Sequence, residues 1–140
     1  MPGRRKLRVL LDTNIWISGI LFRGNEEKIV EHAFDGIFLS IVPLQLIDEF
    51  KRVMLDKFHL SHEDVMDSIN EIIQVSDLVD LESYDDVDVR DAEDKPIVKA
   101  AQIAQCDYLI TGDKDIKVLK AINGTKIISS KEFLKILEKK

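Results

Sequence analysis

In Val9-Leu10-Leu11-Asp12-Thr13-Asn14 a short apolar run ends at a carboxylate, Asp12. A second stretch repeats the pattern, with Tyr108-Leu109-Ile110 leading into Thr111-Gly112-Asp113-Lys114-Asp115. Short apolar runs bounded by polar and turn residues read as strands buried on both faces. Lys6 to Leu11 is the first expected strand, and a short helix follows through Ile15 to Ile20. Ile29, Val30, Ala33 and Phe34 stripe a second helix that Gly36 stops. Ile37 to Val42 reads as the second strand, and Pro43 opens a helix with Ile47, Phe50 and Met54 on one face. Ser61 and Asp64 resemble a capping box ahead of Val65, Ile69, Ile72 and Ile73, whose spacing is that of an amphipathic helix. Leu78 to Leu81 is a short expected strand. Pro96 falls in the first turn of a helix lined by Ile97, Ala100, Ala101 and Ala104. Asp107 to Thr111 is the next strand; then come a short helix near Ile116 to Ile122, a last strand from Lys126 to Ile128, and a final helix capped by Ser129 and Glu132. This alternation predicts a three-layer α/β/α sandwich with a mainly parallel central sheet. The 140 residues fit one domain, 1–140.

Composition narrows the class. Hydrophobic residues make up 45% of the chain, so it has enough apolar material for a core. The apolar stretches are far too short to span a bilayer, and Arg8 interrupts the one behind the basic start, so neither a membrane span nor a signal peptide is expected. Cys106 is the only cysteine, which excludes an internal disulfide and suits the reducing cytoplasm. The net charge of −6 lacks the overall basic footprint of many nucleic-acid binders. The charges are uneven, however. Asp85, Asp86 and Asp88 read as a solvated loop, while the late lysines, from Lys114 to Lys140, together with Arg4, Arg5, Lys6 and Arg8, offer local contact to a polyanion.

The strand ends carry the chemistry. Ligands of open parallel sheets bind at the carboxyl ends of the strands. Asp12 and Asp113 stand at two such ends, Asp94 opens a helix, and Glu49 sits on another helix whose opposite face is apolar. Gathered carboxylates are hard oxygen ligands suited to Mg²⁺ or Mn²⁺. That points to metal-dependent chemistry on phosphates. Each acid also has a bland reading: Asp12 and Asp94 as helix caps, Glu49 as a solvated helix residue, Asp113 as a turn residue. Competing chemistry is weak. His32, His59 and His62 lack a metal-ligand spacing, Cys106 reads as buried, Trp16 reads as core, and no glycine-rich phosphate loop follows the first strand.

Over essentially its whole length the chain resembles the PIN-domain nucleases. Val9 to Asn14 resembles the family's first motif, Ile47-Asp48-Glu49-Phe50 its second, Asp91-Ala92-Glu93-Asp94 its third, and Asp107 to Asp115 its fourth. The best-matching subgroup is the toxin component of prokaryotic toxin–antitoxin systems, related to the VapC toxins. Lys95 departs from the pattern where relatives often have a second acid, and Ile116 replaces a usual Leu or Phe. The resemblance implies hydrolysis of RNA phosphodiesters with Mg²⁺ or Mn²⁺. It implies Asp12, Asp94 and Asp113 as metal ligands, with Glu49 as a catalytic carboxylate. Asn14 and Thr111 are expected to hydrogen-bond the ligands. Asp115 is either an outer ligand or a helix cap, and Asp91 competes with Asp94 for the third position. An antitoxin protein is the expected partner, and apolar density in Ile15–Phe22 and Val65–Ile73 favours a homodimer or a bound antitoxin. Two alternatives are a non-catalytic RNA- or protein-binding module on the same fold, and a DNA- or structure-specific nuclease.

Overall fold

A computed structural model describes residues 5–139; Arg4 and Lys140 of the expected basic patches lie outside the described residues. The elements are β1 (Arg8–Leu11), α1 (Thr13–Leu21), α2 (Asn25–Phe34), β2 (Leu39–Pro43), α3 (Leu44–Asp56), α4 (His62–Gln74), β3 (Ser76–Val79), α5 (Lys95–Ile103), β4 (Tyr108–Ile110), α6 (Lys114–Lys117), β5 (Ala121–Ile122), β6 (Thr125–Ile128) and α7 (Ser130–Glu138). A single 3₁₀ turn, Ala92–Asp94, precedes α5. The six strands form one sheet in the order β3-β2-β1-β4-β6-β5, parallel throughout except for the β5–β6 pair.

The two apolar runs are neighbours. Val9, Leu10 and Leu11 pair with Tyr108, Leu109 and Ile110, so both strands stop at the same edge of the sheet. Val9, Leu10, Leu11, Leu109 and Ile110 are fully buried, as parallel strands covered on both faces must be, while Tyr108 at the start of β4 is partly buried. Helix α5 packs across β1 and β2, and its Ala100 and Ala101 are completely buried, small enough for close approach to the sheet. Helices α1 and α2 contact each other, and α2 also meets α7. Phe133 of α7 stacks edge-on with Phe38 at 5.3 Å and lies 5.8 Å from the Tyr108 ring. No described helix is long and apolar enough to cross a membrane.

The caps act as the sequence leads one to expect. Ser61 accepts from the Asp64 N–H, and Ser129 with Glu132 completes a full capping box. Several boundaries differ. β2 starts at Leu39 rather than Ile37, because Ile37 is turned out to solvent. β3 starts at Ser76, where its register against Ser40 of β2 begins, and ends before Leu81. The expected helix over Ile116–Ile122 is not formed as such. α6 starts earlier, because the Asp113 carboxylate caps the Asp115 N–H, and it ends after one turn. Ala121 and Ile122 then enter a hairpin with β6 around Asn123 and Gly124, both at positive φ.

The apolar density that favoured association is largely internal. Ile15, Trp16 and Ile17 are buried, as are Val65, Ile69 and Ile72. Phe22, Met66 and Ile73 remain exposed.

Candidate active site

Asp12 follows the last residue of β1 and caps α1, and only 8% of it is exposed. Its backbone N–H donates to the Ile110 carbonyl at 3.0 Å, which ties the end of β1 to the end of β4. One carboxylate oxygen accepts from the Thr13 N–H at 2.6 Å, and the other from the Thr111 hydroxyl at 2.7 Å. Asp12 is therefore a cap, yet its second oxygen is committed to β4's end rather than to its own helix. Thr111 also accepts from the Asp113 N–H at 3.0 Å. One hydroxyl thus fixes Asp12 to the turn that carries Asp113. Asp113 in turn accepts from the Asp115 N–H at 2.8 Å.

Asp91 is exposed and caps the 3₁₀ turn by accepting from the Glu93 N–H at 3.0 Å. That turn delivers Asp94 to the start of α5. Asp94 makes no capping hydrogen bond, and its Oδ2 is buried without a partner. Its carboxyl is pushed up to about 7, first by burial and then by the negative charges of Asp113, Asp91, Asp12 and Asp115. Asp12 is raised as well, mainly by burial and further by Asp113, against the lowering effect of its two hydrogen bonds. Glu49 is raised by burial and then by Asp12 and Glu93, with Arg52 acting against them. Thr13 lies close enough for its hydroxyl to moderate Glu49, although Oγ1 has no hydrogen-bond partner of regular geometry.

Asp12, Glu49, Asp94 and Asp113 thus form one electrostatic unit at the carboxyl edge of the sheet. Its donors are all hard oxygens, and Asp94 presents an unsatisfied one, which is the chemistry a divalent cation requires. Among the described residues, no three acids, histidines or cysteines stand within ligating reach of one point. Asn14 is exposed in the first turn of α1, and among the described residues no hydrogen bond joins it to the acids. Asp115 forms an exposed ion pair with Arg90 at 3.6 Å. Arg90 and Arg52 carry no signal in the sequence that marks them as site residues; only the fold brings them to the acids. Away from this edge, Cys106 is buried with its thiol pushed up to about 12, mainly by burial. Trp16 is fully buried, 6.0 Å from the Phe34 ring.

A sequence profile of the PIN domain matches residues 8–115. The chain belongs to the PIN-domain family, whose members are generally nucleases. No curated protein matches it in sequence. Among solved structures, a chain of VapBC2 from Rickettsia felis, crystallised bound to a DNA fragment from their promoter, is similar with a TM-score of 0.65 and 12% identity. The similarity covers 88% of this chain and 98% of that one. At that identity the likeness speaks for the fold alone.

Proposed function

We propose that this protein is a metal-dependent endoribonuclease and the toxin half of a toxin–antitoxin pair. The observation that carries the reading is the coupled set of carboxylates, with Asp94 held at about 7 by burial and by its acidic neighbours. Such a set is costly for the metal-free fold, and a functional site is where such strain is retained. Asp12, Asp94 and Asp113 would hold Mg²⁺ or Mn²⁺. When bound, the cation supplies Lewis-acid activation of water and neutralises charge at the scissile phosphate. Glu49 orients water and accepts its proton, a role that suits a carboxylate whose basicity is raised by burial and by Asp12. Thr111 holds Asp12 and the Asp113 turn in register. Asp94 is favoured over Asp91 as third ligand, because the Asp91 oxygen is engaged by Glu93 while an Asp94 oxygen is unpartnered.

An antitoxin partner is supported by the fold shared with a VapBC2 chain. Phe22, Met66 and Ile73 supply exposed apolar surface for it or for a second copy. The protein is expected to act in the cytoplasm.

The test is direct. Purified protein should cut RNA with Mn²⁺ or Mg²⁺ and stop with EDTA. Asp12→Asn and Asp113→Asn should each nearly abolish cleavage while circular dichroism remains that of the wild type. Cleavage that survives both substitutions refutes the site. Cleavage of DNA in place of RNA moves the assignment to the alternative substrate. Light scattering that shows only monomer at high concentration refutes the homodimer.

A further inference from the structure

Charge divides sharply at Asp113. The 27 residues after it hold eight lysines and three acids, whereas residues 1–113 hold 12 lysines and arginines against 23 acids. The fold sorts the late lysines between the two edges of the sheet. β4 and β6 are parallel neighbours with Ile110 beside Ile128, and the Thr111 N–H donates to the Ile128 carbonyl at 3.1 Å, so both strands end at the carboxyl edge. α6 starts directly after Asp113 and contacts β6, and α7 starts just past the end of β6. Lys117 on α6 and Lys131 in the first turn of α7 therefore stand at the edge that carries the acids. They lie on the side of Asp113 away from Asp12, because β6 flanks β4 opposite β1. Phe133, Leu134 and Leu137 form the buried face of α7, which leaves Lys131, Glu132 and Lys135 exposed on its outside. Lys131 and Lys135 are spaced i, i+4, about 6 Å apart along the helix axis. Glu132 Oε1 is committed to the Ser129 N–H and hydroxyl. Those bonds, and then Lys117 and Lys135, hold Glu132 below the usual carboxylate range. One carboxylate thus feels both ammonium groups while bonding neither, and among the described residues Lys114, Lys117, Lys131 and Lys135 make no ion pair. Lys126 stands at the opposite edge, where its N–H donates to the Asp107 carbonyl.

We propose that Lys117, Lys131 and Lys135 form a phosphate track that holds the backbone of a single-stranded RNA as it leaves the acidic centre across the ends of β4 and β6. The proposal rests on the ribonuclease reading and adds to it the path of the substrate. A cluster of carboxylates repels a polyanion, so the RNA must be held by cations outside the cluster. Lysine ammonium groups meet phosphates as point charges, which positions a nucleic acid without reading its bases. Neighbouring phosphates of one RNA chain follow at a step similar to that from Lys131 to Lys135. A protein partner fits this surface less well. After Asp113 the only large apolar side chain exposed among the described residues is Val118. Protein interfaces are anchored by apolar and aromatic side chains and are depleted in lysine.

The test reads binding in EDTA, so that it does not depend on catalysis. A short labelled single-stranded RNA of mixed sequence is titrated with the full chain over a range of salt and followed by fluorescence anisotropy. Each track lysine should contribute about 0.7 to the slope of log affinity against log salt. Lys117→Gln, Lys131→Gln and Lys135→Gln together should flatten that slope by about 2 and weaken binding roughly a hundredfold at about 0.1 M salt. The loss should be the same for RNAs of different sequence. Lys126→Gln removes equal charge at the opposite edge and should leave affinity and slope as in the wild type. All four lysines are exposed, so circular dichroism of the variants should match that of the wild type. In Mn²⁺ the triple variant should show a raised KM for RNA with kcat unchanged. A triple variant that binds RNA like the wild type, or a loss in Lys126→Gln equal to that in Lys117→Gln, overturns the track. A duplex of the same sequence that binds more tightly than the single strand refutes the single-strand assignment. Cutting by the triple variant with an unaltered KM refutes the track and leaves the ribonuclease reading standing. RNA held by the track, with no cutting of any RNA in Mn²⁺, upholds the track and refutes the ribonuclease activity.

Discussion

Asp94→Asn isolates the electrostatic cost of the site. Asp94 makes no capping hydrogen bond, and its buried Oδ2 has no partner, so the amide removes charge without removing a contact. The folded carboxyl holds its proton up to about 7, against an ordinary value of 3.8. Between those values the folded state binds more protons than the unfolded chain, so stability falls as pH rises through that window. Below about 3.8 both states are protonated and the group costs nothing. Above 7 the whole cost is present. At about 1.4 kcal/mol per pKa unit, the full displacement corresponds to about 4 kcal/mol. The carboxylate remains partly open to solvent, and screening reduces this to roughly 1–2 kcal/mol. Thermal melts in EDTA at pH 8 should therefore place Asp94→Asn roughly 3–8 °C above wild type. At pH 4 the two proteins should melt nearly together. A variant that melts below wild type at pH 8, or that shows the same gain at both pH values, refutes the repulsion argument.

Other expectations follow from the same geometry. Mn²⁺ should raise the melting temperature of the wild type at neutral pH, by about 2.7 kcal/mol of stability at a hundred times its dissociation constant, and Asp12→Asn should blunt the response in a thermal-shift titration. Thr111→Val removes the hydroxyl that joins Asp12 to the Asp113 turn, and should cost about 1–3 kcal/mol in denaturant unfolding and roughly 10–100-fold in metal affinity or activity. Gly19→Ala should cost about 1–3 kcal/mol in the same unfolding assay. A methyl there would stand 2.6 Å from the Glu26 carbonyl oxygen and press on Val30, both in α2.

The legible parts of the fold are those whose signals are local and periodic. Val9–Leu11 and Leu109–Ile110 read as buried strands from composition alone, and the sheet makes them neighbours. The stripe Val65, Ile69, Ile72 gives α4 its buried face. The β5–β6 hairpin is masked because Ile116, Leu119 and Ile122 also recur at helical spacing. The Asn123-Gly124 pair, a strong turn signal, decides against that helix. In the candidate site, Asp12 and Asp113 stand out in the sequence because each closely follows an apolar strand, Asp12 directly after β1 and Asp113 three residues past the end of β4. The competition between Asp91 and Asp94 is not, because a 3₁₀ turn inserts between them and gives one an N–H partner and leaves the other bare. Arg90 lies in a segment without periodicity, and what it approaches is a matter of tertiary folding.

The hydrogen bond between Thr111 and Asp12 closes a loop of 99 residues. β4 must insert beside β1 before Asp12 meets the turn that carries Asp113. Contacts of such separation form late, because the chain entropy of closing the loop is spent before they return any energy. During synthesis, a ribosome that has made Asp12, Glu49 and Asp94 still holds a chain with no assembled centre. Phe133, which packs against Phe38 and Tyr108, comes later in the chain than all four acids. A nascent chain that has not yet made β4 therefore carries Asp12, Glu49 and Asp94 without the hydroxyl that ties Asp12 to the Asp113 turn.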